Sequence, residues 1–107
     1  MKLHLIRHGK AVKYNGKDDH SRTLSKKGVG QIERLTEYLG DTLNNVEAWS
    51  SSSARTIGTL EILSNEIDFA DEKIIDAFYL CSKEDYLDKI WKNSNELDIV
   101  IIGHNFG

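Results

Sequence analysis

Proline is absent from this sequence, and no stretch combines Gly and Ser densely, so nothing in it reads as a Pro/Gly/Ser linker between two folding units. A single domain over residues 1–107 is the expected organisation. Cysteine is nearly absent as well. Cys81 stands alone, which excludes an intramolecular disulfide framework and CxxC metal spacing and favours a reducing, cytoplasmic compartment. No apolar run approaches the roughly 18 residues that cross a bilayer. The start, Met1-Lys2-Leu3-His4-Leu5-Ile6-Arg7, turns charged too early for the core of a signal peptide. Also missing is a stretch in which basic and aromatic residues interleave, which together with the overall charge of −3 argues against a nucleic-acid partner.

What is present is a modest apolar fraction, 39%, in a chain of 107 residues. Folding at this size buries roughly two-thirds of the unfolded chain's surface, enough for one core. Charge is distributed unevenly. Residues 1–34 hold nine Lys/Arg against three Asp/Glu, a local +6, and residues 35–107 hold five against fourteen, a local −9. The basic segment attracts phosphate in any form without choosing among forms.

Hydrophobic periodicity predicts alternating strands and helices. Residues 2–6 alternate as a short strand that ends at Arg7-His8-Gly9, and a polar loop follows from Lys10 to Thr23. Ser25 suits the N-cap of a helix with Val29, Ile32, Leu35 and Leu39 on one stripe, stopped by Gly40. A strand near Val46–Trp49 precedes a helix opened by Ser52 or Ser53 and carrying Ile57, Leu60 and Leu63. A weak strand at Lys73–Ile75 is followed by a helix capped by Ser82, with Asp85 at the third position, that runs through Tyr86, Leu87, Ile90 and Trp91. The run Ile99-Val100-Ile101-Ile102-Gly103 suits a central parallel strand buried on both faces. The order predicts an α/β fold.

His8 and His104 then fall just beyond the first and last strands, where open parallel sheets bind ligands. Gly9 and Gly103 beside them allow close backbone approach to a ligand. Arg7 supplies a fixed fork matched to phosphate, and Arg55 lies in the first turn of a helix whose N-terminal amides favour an anion. The expected site is a phosphate site made of two Arg, two His and a helix start.

The stretch Leu5-Ile6-Arg7-His8-Gly9-Lys10-Ala11 resembles the signature of the histidine phosphatase, or phosphoglycerate-mutase-like, superfamily. Ser51-Ser52-Ser53-Ala54-Arg55 with Thr59 resembles its Ser-Pro-x-x-Arg helix start, and Ile101-Ile102-Gly103-His104-Asn105 its Gly-His-Asn end. Arg22-Thr23-Leu24-Ser25-x-x-Gly28 with Gln31 is similar to a stretch of the phosphohistidine phosphatase branch called SixA. Two positions depart from the pattern: Ser52 and Phe106 stand where the family commonly has Pro.

The resemblance implies a three-layer α/β/α fold with a mainly parallel central sheet, and a phosphatase that needs neither metal nor cofactor. It implies His8 as nucleophile, forming a phospho-His8 intermediate, with Arg7, Arg55 and His104 stabilising the transferring phosphoryl group. Gly9 and Arg22 are further phosphate-contact candidates. Sugar-phosphate members place an acid after the third strand, where this chain reads Asp76-Ala77-Phe78-Tyr79-Leu80-Cys81-Ser82 and assigns none clearly. Asp18, Asp19 and Glu84 are the first alternatives. A missing acid points to a phosphohistidine substrate on a protein partner, because a departing imidazole carries its own proton on the other nitrogen whereas an alkoxide needs one. The rival readings are a small-molecule phosphomonoesterase of the same superfamily and a catalytically silent phosphate-binding module.

The remaining candidates have bland explanations. His4 reads as a strand residue, His20 as loop surface, Cys81 as an inert thiol, and Ser50–Ser53 as helix capping. Trp49 and Trp91 read as core or partly buried. The last strand lacks a following helix to cover its second face, so the chain is expected to be an incomplete domain, truncated at its C-terminal end, marginally stable, and with His104 poorly supported.

Overall fold

The apolar run near the C-terminal end becomes the middle of a parallel sheet. A computed structural model describes residues 2–16, 18–92 and 98–104. Its strands are β1 (Leu3–Arg7), β2 (Glu47–Ser51), β3 (Asp71–Ile75) and β4 (Ile99–Gly103), and its helices are α1 (Lys26–Leu39), α2 (Ala54–Ser64) and α3 (Lys83–Lys92). A single 3₁₀ turn, Asp76–Phe78, follows β3. The sheet order is β1-β4-β2-β3, and every pairing is parallel.

Two apolar clusters lie on opposite faces of this sheet. Ile32 of α1 and Leu60 and Leu63 of α2 pack on Ile6, Ala48, Val100 and Ile102. On the other side, Tyr86 of α3 and Phe78 of the 3₁₀ turn pack with Trp49, Ile99 and Ile101. The fold is therefore a three-layer α/β/α arrangement, as the resemblance implied. Both faces of β4 are covered, and Ile99–Ile102 are each fully buried. This corrects the expectation of a bare face: α3 and the 3₁₀ turn supply the second cover. Leu3 and Leu5, which the register places on that second face of edge strand β1, stay exposed.

Capping follows the sequence closely. Ser25 Oγ accepts from the Gly28 N–H, and Gly40, at φ +54°, ends α1 with its N–H on the Thr36 carbonyl. Ser53, not Ser52, caps α2. Before α3, Ser82 Oγ accepts from the Asp85 N–H while the Asp85 carboxylate accepts from the Ser82 N–H. Trp91 corrects its expectation, because it is 81% exposed on the outer side of α3, whereas Trp49 is in the core.

Close approach explains two glycines. A Cβ on Gly9 would stand 2.7 Å from the Gly28 carbonyl oxygen and 2.9 Å from Ile32 Cγ1. A Cβ on Gly28 would collide with the Lys10 backbone. The end of β1 thus presses directly on α1, so the room denied to a side chain at Gly9 is taken by protein.

Candidate active site

Parallel register brings the two histidines together. Arg7 pairs with Gly103 across β1 and β4, and the His8 N–H extends the ladder to the Gly103 carbonyl at 3.1 Å. The next side chains past the strand ends are His8 and His104, with ring centroids 5.3 Å apart at 64°. Thr59 fastens this corner to α2. It accepts from the Gly9 N–H at 3.1 Å and donates to the Arg55 carbonyl at 2.8 Å.

His8 has a defined tautomer. A carbonyl can only accept, so the 2.7 Å contact to Gly9 O puts a proton on Nδ1. Arg55 Nε donates to His8 Nε2 at 3.3 Å, so that nitrogen presents its lone pair. Burial pushes the His8 pKa down, the Gly9 hydrogen bond opposes this, and Arg55, Arg7 and Arg22 lower it further. A neutral imidazole with Nε2 unprotonated is the form that attacks phosphorus.

His104 is held on both nitrogens. Arg55 Nη2 donates to its Nδ1 at 3.2 Å, which leaves Nε2–H to donate to Ser51 Oγ at 2.9 Å. Burial, then Arg55 and His8, push its pKa down to about 4. Its own N–H donates to Tyr86 Oη at 3.3 Å, and the residue is only 6% exposed. His104 is therefore supported from behind by α3 and β2, correcting the expectation that it lacks support. Asn105 and Phe106 lie outside the described residues.

Arg55 stands at the centre, 3% exposed. Besides its donations to both imidazoles, Nη1 donates to the Asp19 carbonyl at 2.9 Å and Nη2 to Asp19 Oδ2 at 3.1 Å. Arg22 binds the same carboxylate, with Nε on Oδ1 at 2.9 Å and Nη2 at 2.8 Å, and also reaches the Val12 carbonyl. Arg7, exposed at the end of β1, lines a pocket with His8, Gly9, Lys10, Arg22 and Gln31. Three basic residues of the N-terminal segment, Arg7, Lys10 and Arg22, thus stand around the pocket beside His8. Among the described residues no group of three or more His, Cys, Asp or Glu is placed to hold a metal ion.

Five residues escaped the sequence reading. Asp19, considered only as an acid, is an ion-pair partner of two arginines. Hydrogen bonding from Tyr79, at 2.6 Å, and contacts with Arg55 hold its pKa down at about 2. Tyr79 forms a wall, edge-on to both His20 and His104. Ser51 and Ser52 do more than precede a helix: Ser51 meets His104, and Ser52 accepts from His20 Nε2 at 2.9 Å while donating to Asp76. His20 is accordingly half-buried beside the site rather than loop surface, and its carbonyl accepts the first N–H of α2, from Ala54. A sequence signal existed only for Ser51, through the Ser-x-x-x-Arg spacing.

A model of the histidine phosphatase superfamily (branch 1) matches residues 3–77. The chain belongs to that superfamily. Its fold matches a SixA protein from Agrobacterium tumefaciens with a TM-score of 0.79 and 28% identity, over 96% of this chain and 68% of that one. A protein histidine phosphatase SixA complexed with tungstate matches at 0.83 and 19% identity, over 97% and 69%. A phosphoserine phosphatase of Entamoeba histolytica in complex with 3-phosphoglyceric acid matches at 0.70 and 15%, over 97% and 74%. A further SixA structure, from Nakamurella multipartitia, is covered over only 58% of its length. No curated protein matches the chain by sequence.

Proposed function

We propose that this superfamily member is a phosphohistidine phosphatase that acts on a phosphorylated protein through a phospho-His8 intermediate. The observation that carries the reading is the tautomer of His8: Nδ1–H on the Gly9 carbonyl and an unprotonated Nε2 facing Arg55. The Nε2 lone pair forms a bond to phosphorus as the substrate's P–N bond breaks, and the electron pair leaves with the substrate imidazole, already protonated at its other nitrogen. Arg55, Arg7 and Arg22 stabilise the charge on the transferring oxygens, and neutral His104, accepting from Arg55 through Nδ1, helps hold that guanidinium at the site. Water then attacks phosphorus as the N–P bond breaks, the pair returns to Nε2, one water proton stays on the new hydroxyl and the other passes to a phosphoryl oxygen, and dihydrogen phosphate departs.

The substrate preference rests on the acid. Asp19 is the carboxylate in contact with the site, and at a pKa of about 2 it stays ionised and has no proton to give. Phosphohistidine and activated aryl phosphates are therefore expected to be cleaved far faster than alkyl phosphates. Phosphorylated small molecules are the second reading, because the same fold carries a phosphoserine phosphatase. A hydrolysis screen across phosphohistidine protein, aryl phosphate and alkyl phosphate separates the two. Rapid quench with mass spectrometry should place label on His8, and His8→Ala should be inactive. Equal rates on alkyl esters, or label elsewhere, refute the proposal.

A further inference from the structure

We propose that Asp19 is a positioning residue that aims Arg55 at the phosphoryl group, an inference that rests on the phosphate-site reading above but not on which phosphorylated compound is hydrolysed. A guanidinium has two edges able to bind in a bidentate manner. In Arg55 the end edge, Nη1 and Nη2, is taken by Asp19, through the backbone carbonyl at 2.9 Å and Oδ2 at 3.1 Å. The side edge, Nε and Nη2, points at His8 Nε2 and His104 Nδ1. The side edge therefore faces the space between the nucleophilic nitrogen and the second imidazole, where the transferring oxygens must lie.

Asp19 can hold this orientation because it is itself fixed. Tyr79 Oη donates to Oδ2 at 2.6 Å, and Arg22 grips Oδ1 through Nε and Nη2. The loop is closed by its own turn, the Arg22 N–H donating to the Asp19 carbonyl, and is docked on α2 by the Ala54 N–H donating to the His20 carbonyl. One carboxylate thus sets the plane of a buried arginine and ties a second arginine to it. The alternative role for an anion here is opposite in sign. A carboxylate that merely neutralised the arginines would compete with phosphate, and its removal would tighten anion binding.

The sign of one measurement decides between them. Tungstate serves as the tetrahedral oxyanion probe, with binding to the 107-residue chain followed by calorimetry and thermal melts used to confirm folding. Asp19→Asn adds a positive charge to the site yet is expected to weaken tungstate binding about tenfold, since loss of aim outweighs gain of charge when reacting groups must be held in place. In an Arg55→Lys background, where no planar edge remains to be aimed, the same substitution should change binding less than about twofold. Unchanged or tighter binding in Asp19→Asn, or an equal loss in both backgrounds, overturns the proposal. If the unaltered chain binds no tungstate, both this inference and the phosphate-site reading fail. If it binds tungstate but hydrolyses no phosphohistidine, only the proposed function fails.

Discussion

His104 links the chemistry of the site to the stability of the fold. Its folded pKa of about 4 lies below the ordinary histidine value of 6.5, so the unfolded chain takes up a proton in this window and the folded chain resists it. Stability contributed by neutral His104 is fully present above pH 6.5 and is lost progressively as pH falls from there to about 4, by roughly 3 kcal/mol. Asp19, lowered to about 2, is lost only in a more acidic window. Melting temperature should therefore drop between pH 6.5 and 4.5, and His104→Gln should flatten that slope. A slope unchanged by the substitution would mean that other groups carry it. At this scale His8, His104, Arg7, Arg55 and Arg22 were legible because each sits at a strand end, a helix start or a motif. Asp19, Tyr79 and His20 were not, because loop geometry brings them together and no periodicity reports it.

At the level of elements, the contact between the end of β1 and α1 separates two glycines of one helix. A Cβ on Gly28 meets the Lys10 backbone, which cannot give way without moving the loop that carries Asp19 and Arg22. Gly28→Ala should destabilise by about 1–3 kcal/mol and impair hydrolysis. At Gly30 a Cβ meets only the far end of the Arg34 side chain, at 3.3 Å, so Gly30→Ala should be neutral or stabilise by up to about 1 kcal/mol through helix propensity. Denaturant melts of both variants test this, and equal effects would contradict it. Caps were the most readable elements, since Ser25, Ser53, Ser82 and Gly40 act through local backbone geometry. Strand ends were less so: β3 begins at Asp71, earlier than its apolar Ile74 and Ile75 suggested, because pairing with the buried β2 holds polar edge residues in line. Trp91 misled because helical spacing places it near Leu87, and that side of α3 faces outward.

For the molecule as a whole, β4 enters the sheet between β1 and β2, so β1 pairs with nothing until the last described strand is in place. Long-range parallel pairing of this kind forms slowly, because loop closure must precede the contacts that reward it. In refolding, recovery of tungstate binding should coincide with the completion of sheet structure in circular dichroism. A site that binds before the sheet is complete would show that it assembles locally. The same topology has a consequence for synthesis. At roughly 5–20 residues per second, the strand that will hold His8 is synthesised several seconds after it. Through that interval the Arg-His-Gly signature is present in a chain that cannot yet orient it, and a nascent chain interrupted before β4 carries the emblem of a phosphatase with no second imidazole. The two imidazoles of the proposed site therefore come together only once β4 has been made and paired with β1.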